Sequence, residues 1–208
     1  MFGRSKLGVG PQDALPGRAE PVAVQQPHHV HGRPITPPWP EGHELLVVGM
    51  GCFWGAERIF WQLDGVWTTF VGYAGGITPN PTYREVCTAR TGHAEIAGVV
   101  YDPTLTGPEP LLAAFWENHD PTQGDRQGND IGPQYRSILL TTTEEQAAAA
   151  VDSRDRYQAR LAEVGITAPI TTTVEPLGSL YWAEPEHQQY LSKHPGGYCN
   201  HGFCQVTY

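Results

Sequence analysis

Apolar residues are scattered without period through positions 1–43 and then gather into short, regular runs. Leu45-Leu46-Val47-Val48 is continuous, as in a buried strand, and is followed by glycines. Gly55 to Leu63 carries an apolar face at helical spacing and stops before Asp64-Gly65. Val66 to Tyr73 predicts a second strand, closed by Ala74-Gly75-Gly76, and a Pro/Asn loop then leads to a short helix over Tyr83 to Cys87. Ala94 to Tyr101 is strand-like, and Pro110 to Asn118 is helix-like with Leu111, Leu112, Phe115 and Trp116 on one face. Asp120 to Gln134 is polar and aperiodic, a kind of long loop that often carries function. Arg136 to Thr142 predicts a strand, Glu144 to Glu163 the clearest helix, and Ile170 to Glu175 a last strand. This order suggests an α+β domain, a two-layer sandwich of mainly antiparallel sheet with helices packed on it.

The flanks read differently. Residues 1–43 hold eight of the nineteen prolines and are expected to form an extension, disordered or wrapped on the surface, that contributes little to the core. Its histidines, His28, His29 and His31, read as part of a solvated polar segment. Residues 44–180 form the domain that carries the chemistry. Residues 181–208, rich in Gly, His, Pro and aromatics, read as a flexible tail.

Composition narrows the function. A chain of 208 residues fits one domain and buries a core without disulfides. With 22 acidic against 13 basic residues the net charge is −9, and no basic stripe offers a footing for nucleic acid. No stretch approaches the roughly 20 apolar residues of a membrane span, and no signal-peptide core follows the first residues, so the cytoplasm is the expected location. Four cysteines, Cys52, Cys87, Cys199 and Cys204, are too few and too scattered for a disulfide-stapled scaffold.

Cys52 stands in Gly51-Cys52-Phe53-Trp54-Gly55-Ala56-Glu57, where the first strand ends and the first helix begins. Free amides at a helix N-terminus favour an anion, so its pKa is expected to be lowered. Phe53 and Trp54 are either core aromatics or the wall of a small apolar pocket. Glu57 is expected in the first helical turn, meeting the helix dipole, and Cys87 is expected to be buried and inert.

This segment resembles the signature of the A-type peptide methionine sulfoxide reductases. The likeness runs in order through Gly72-Tyr73-Ala74-Gly75-Gly76, Asn80-Pro81-Thr82-Tyr83, Thr91-Gly92-His93-Ala94-Glu95 and Tyr101-Asp102-Pro103. It continues through His119-Asp120-Pro121-Thr122-Gln123, Arg126-Gln127-Gly128-Asn129-Asp130, Gln134-Tyr135-Arg136-Ser137, His187-Gln188-Gln189-Tyr190-Leu191 and Gly197-Tyr198-Cys199. The resemblance implies that Cys52 attacks the sulfoxide sulfur, with the S epimer selected, and that Glu95 supplies the proton, for which its pKa must be raised. It implies that Tyr83 and Tyr135 donate to the sulfoxide oxygen, that Phe53 and Trp54 receive the methyl group, and that Asp130 orients a tyrosine or water. Cys199 matches the resolving cysteine that condenses with the sulfenic acid. Cys204 is a further recycling candidate, although the family spaces that thiol at a greater distance. No cofactor or metal is implied. The implied partners are free or protein-bound methionine sulfoxide and a thioredoxin-type reductant, with the enzyme a monomer. The fold expected is of ferredoxin-like kind with an irregular C-terminal tail.

Three other readings compete. Cys199, His201 and Cys204, with His194, offer soft ligands for zinc. Cys52 paired with His93 or His119 suits a cysteine hydrolase, which leaves Cys199 unexplained. A module that only binds oxidised methionine needs no resolving thiol.

Overall fold

The computed structural model describes residues 8–24, 26–199, 201–202 and 206–208. The elements follow in the order β1 (Glu44–Met50), α1 (Phe53–Trp61), β2 (Val66–Ala74), α2 (Tyr83–Cys87), β3 (Ala94–Tyr101) and α3 (Pro108–Glu117). Then come β4 (Arg126–Gln127), β5 (Asp130–Ile131), a 3-10 turn (Pro133–Tyr135), β6 (Ser137–Thr141), α4 (Glu144–Glu163), β7 (Thr173–Pro176), β8 (Leu180–Trp182) and α5 (Tyr190–Lys193). Six strands make one sheet in the order β7-β6-β1-β3-β2-β8, and β4 pairs with β5 as a separate ribbon. The pairings β1–β3, β1–β6, β2–β3 and β2–β8 are antiparallel, whereas β6–β7 is parallel, so this α+β sheet is mixed.

Alternation along the strands divides the apolar residues between two faces. Leu46, Val48 and Met50 of β1, Ala97, Val99 and Tyr101 of β3 and Leu139 of β6 meet α1, α3 and α4. Val47, Ile96, Val100, Ile138 and Leu140 point the other way. That second face is buried too, which is why Leu45 to Val48 reads as an unbroken apolar run. Its cover is the segment before β1: Ile35 is fully buried in this cluster, Val24 and Trp39 pack against it, and Trp39 stacks on Phe70 at 6.2 Å between ring centroids.

The N-terminal stretch therefore contributes to the core, contrary to expectation. Its apolar residues have no period because it lies on the sheet as an irregular strap whose side chains reach in singly. Polar contacts fix the strap. Arg18 pairs with Glu85 at 2.9 Å, Asn80 donates to the Arg18 carbonyl, and Arg33 donates to the Trp67 carbonyl. His28 is buried rather than solvated. Its Nδ1 accepts from the amides of Val30 and His31, which leaves Nε2–H to donate to Thr69 Oγ1 at 2.9 Å. Burial, the largest cause, holds the His28 pKa down to about 3.

The tail from residue 181 is more ordered than its composition suggests. β8 pairs with the edge of β2, and the Gln188 side chain continues that pairing. Its Oε1 accepts from Val71 N–H while its Nε2 donates to the Val71 and Ala183 carbonyls. At the other end, Tyr157 donates to the Val206 carbonyl, and Tyr208 packs on Arg156 with a hydrogen bond to Glu109.

Candidate active site

Cys52 is the N-cap residue of α1, immediately after β1, and is only 6% exposed. Gly51 before it has φ +100°, and a Cβ there would meet the Gln127 side chain at 2.7 Å. Only glycine allows the strand to turn into the helix so abruptly against the long loop. Glu95 lies on β3 opposite Tyr73 of β2, on the face that α1 covers. Its Oε2 accepts the Phe53 N–H at 3.0 Å, so this carboxyl, 42 residues away in sequence, meets one of the free amides that begin α1. Glu95 is 1% exposed, and its Oε1 is buried with no hydrogen-bond partner among the described residues.

The electrostatics follow from that enclosure. Burial pushes Glu95 up to about 8; the Phe53 amide opposes this and the Asp130 charge adds to it. The pKa of Cys52 is not lowered as a helix N-terminus alone would require. Burial, then the Glu95 charge, push the thiol well above its ordinary value, against the Trp54 and Gly55 amides. The helix start is present, but desolvation and a neighbouring carboxylate outweigh it.

Phe53, Val71, Tyr73, Val86 and Ala183 form a small buried cluster with Trp54 and Tyr83 packed on it. Trp54 is fixed from both sides, stacked on Tyr190 at 4.0 Å and donating its indole N–H to His187 Nδ1 at 3.2 Å. Tyr83 opens α2, whose capping box joins Thr82 and Glu85. Glu184 braces it by accepting the Tyr83 N–H with one oxygen and the Tyr73 hydroxyl with the other, both at 2.8 Å. Tyr135 ends the 3-10 turn that the β4–β5 ribbon leads into. Burial, then the charge of Glu95, raise both the Tyr83 and Tyr135 phenols above their ordinary values, which keeps both hydroxyls protonated donors. Asp130, in the ribbon, accepts from Tyr198 at 3.0 Å.

The structure thus brings Cys52, Phe53, Trp54, Tyr83, Glu95, Asp130 and Tyr135 to one end of the sheet. Cys199 reaches the same helix. Its sulfur lies 2.9 Å from the point a Gly55 Cβ would occupy, and the His201 ring crowds that point as well. Gly55 is therefore a matter of room. Cys204 falls outside the described residues, and with it one member of the zinc trio. Among the described residues no three His, Cys, Asp or Glu side chains group as a metal site, and no helix is long and apolar enough to cross a membrane.

Two further sequence readings change. Cys87 is exposed rather than buried, at the C-terminal end of α2. Glu57 lies beyond the first turn of α1 and is fully buried, accepting from the backbone and side-chain amides of Gln189 at 2.8 Å and from Thr69. Burial raises it to about 7. The residues that sequence reasoning left without a role, Glu184, His187, Gln189 and Tyr190, all brace this end of α1 and α2. The signal for His187, Gln189 and Tyr190 was their place in the resemblance; Glu184 had none.

A cysteine at a helix start, a buried carboxyl that keeps its proton near neutrality and a second cysteine against the same helix define a thiol-dependent oxidoreductase. Residues 44–206 match the peptide methionine sulfoxide reductase family. The peptide methionine sulfoxide reductase MsrA of Salinispora arenicola is 60% identical over 196 residues, covering 93% of this chain and 89% of that protein. Methionine sulfoxide reductase A of Corynebacterium diphtheriae superposes with a TM-score of 0.85 at 50% identity, covering 92% of each chain. Mxr1 of Saccharomyces cerevisiae in its reduced form gives 0.72 at 31% identity, over 82% of this chain and 93% of that one. The chain belongs to the A-type peptide methionine sulfoxide reductases, enzymes that reduce methionine sulfoxide to methionine.

Proposed function

We propose that Cys52 attacks the sulfur of a methionine S-sulfoxide while Glu95 protonates the departing oxygen. The observation that carries this reading is Glu95 itself, buried beside the start of α1, with a pKa of about 8 and one oxygen without a partner. A carboxyl of that kind is about nine-tenths protonated at pH 7 and has a free oxygen to offer. Protonation also removes the charge that contributes to raising the Cys52 thiol, so acid and nucleophile are prepared together. The S–O bond breaks as the protonated oxygen passes to the Cys52 sulfur, and the temporary bond between the two sulfurs breaks, so that methionine leaves and Cys52 becomes a sulfenic acid.

Phe53 and Trp54 form the wall for the methyl group, a role their rigid bracing supports. Tyr83 and Tyr135 donate to the oxygen as neutral phenols. Asp130 positions Tyr198 at the mouth of the site. Cys199 then condenses with the sulfenic acid, which its seat on α1 supports, and the Cys52–Cys199 disulfide is returned to dithiol by a thioredoxin-type protein. In our reading Cys204 is a bystander to recycling. Gly202 and Val206, on either side of it, are tied to Asn118 and Tyr157. We take the enzyme to act as a cytoplasmic monomer on free or protein-bound substrate. The ferredoxin-like description rests on the central order β6-β1-β3-β2 with α1 and α3 as crossovers.

The test is a dithiothreitol-driven assay on resolved S and R sulfoxides of a methionine peptide. Reduction of S alone is expected, and equal rates would defeat the stereochemical assignment. Cys52→Ser should remove turnover. Activity above about a tenth of wild type, one decade, would defeat the nucleophile.

A further inference from the structure

Arg58 is the basic residue in the last turn of α1, a place where a cation ordinarily does no more than complement the helix dipole. That duty is met by a guanidinium pointing anywhere around the turn. Here it points at a sulfur: Arg58 Nη2 donates to Cys199 Sγ at 3.1 Å. Among the described residues Arg58 is in no ion pair, so its charge is not spent on a carboxylate. Gly55, one turn earlier on the same helix, leaves the space that Cys199 and His201 fill. Room, a donor and a fixed direction meet at one thiol.

We propose that Arg58 is the positioning residue for the resolving thiol, holding Cys199 against α1 with a guanidinium N–H on its sulfur as the thiol gives up its proton to attack Cys52. This rests on Cys199 being the resolving cysteine. In the step itself the Cys199 sulfur forms a bond to the Cys52 sulfur and the S–O bond of the sulfenic acid breaks. The thiol proton and the hydroxyl leave as water, so no outside oxidant or reductant is consumed. An N–H donor on the attacking sulfur assists that step and has no part in removing oxygen from the substrate. Arg58 therefore acts after methionine has already left.

The experiment uses the full-length protein carrying Arg58→Gln or Arg58→Lys, mixed with one equivalent of a methionine S-sulfoxide peptide and no reductant. Two quantities are read in parallel: release of the first methionine, and the lifetime of the Cys52 sulfenic acid trapped by a cyclic diketone. In Arg58→Gln disulfide formation should slow about tenfold or more, equivalent to about 1.4 kcal/mol, while methionine release stays within about twofold. Arg58→Lys keeps the charge and the dipole partner but loses the fork, and should fall between. A sulfenic acid lifetime in Arg58→Gln equal to that of wild type overturns the proposal, as does equal slowing of both quantities, which marks a general disturbance. Peptide mapping of oxidised wild type separates the two levels. A Cys52–Cys199 bridge with an unaffected Arg58→Gln condemns only Arg58, whereas no such bridge in wild type condemns the resolving assignment itself.

Discussion

Glu95→Gln should make this enzyme slower and, at the same time, more stable. The amide has nearly the shape of the carboxylic acid, and its oxygen can still accept the Phe53 N–H that Glu95 accepts at 3.0 Å. It cannot deliver a proton, so the rate of the first methionine release should drop on the order of a hundredfold to ten-thousandfold. The stability gain follows from where the carboxyl sits. Its pKa rises from 4.5 to about 8, with burial as the largest cause. Unfolding therefore releases a proton at neutral pH, and the stability present below the unfolded value is lost progressively as pH rises towards the folded one. The gap between pH 7 and 4.5, at about 1.4 kcal/mol per pH unit, is about 3 kcal/mol. Glutamine does not titrate, so the difference between variant and wild type should grow from near zero at pH 4.5 to about 3 kcal/mol at pH 7 and level off above pH 8. Urea unfolding of both proteins at several pH values measures it, and single-turnover methionine release measures the loss. A variant no more stable than wild type at pH 7 would mean that Glu95 is ionised in the fold, and its role as the acid would go with that. An unchanged single-turnover rate would send the proton's origin to Tyr83 or Tyr135.

Three further outcomes follow from the same structure. Ile35→Ala should cost about 2–5 kcal/mol in urea unfolding, because the side chain is fully buried under the sheet; a cost below about 1 kcal/mol would mean the strap is only loosely applied. In the native, reduced enzyme, iodoacetamide should label Cys87 well before Cys52, since both thiols are raised in pKa but the former is exposed and the latter buried; mass mapping that finds Cys52 modified first would contradict the enclosure of the site. Cys87→Ser should retain catalysis within about twofold, and a larger loss without unfolding would bring that thiol into the mechanism.

Elements with their own period were legible in the sequence, with ends displaced by up to three residues, the most at the start of β7. Helix α1 begins at Phe53 rather than Gly55, and α3 at Pro108 rather than Pro110. What escaped was whatever depends on distant partners. β8 is three residues long, and nothing marks it as a strand until β2 supplies an edge. The strap's buried residues, Val9, His28 and Ile35, are too far apart in sequence to form a pattern. The Cys52 pKa was misjudged for a related reason. The helix start is written locally, but the Glu95 carboxyl that opposes it comes from β3 and the burial that overrules it from the fold as a whole. The site residues were legible chiefly through the resemblance; composition alone would have left Glu95 on the surface.

The strap also sets an order of events during synthesis. His29 is among the first described residues to leave the ribosome, yet its contacts with Gln189 and Ser192 span 160 and 163 residues. Ile35 and Trp39 cover a sheet face built from strands that all emerge after them. Until β6 is out, that face is incomplete, and the strap, although already made, has only part of its seat to bind. Contacts of such separation slow folding, because a long loop must close before they repay its entropy. A nascent chain halted before β3, near residue 90, therefore shows an apolar strap and an unfinished sheet to its surroundings, and the strands that follow convert both into an interior.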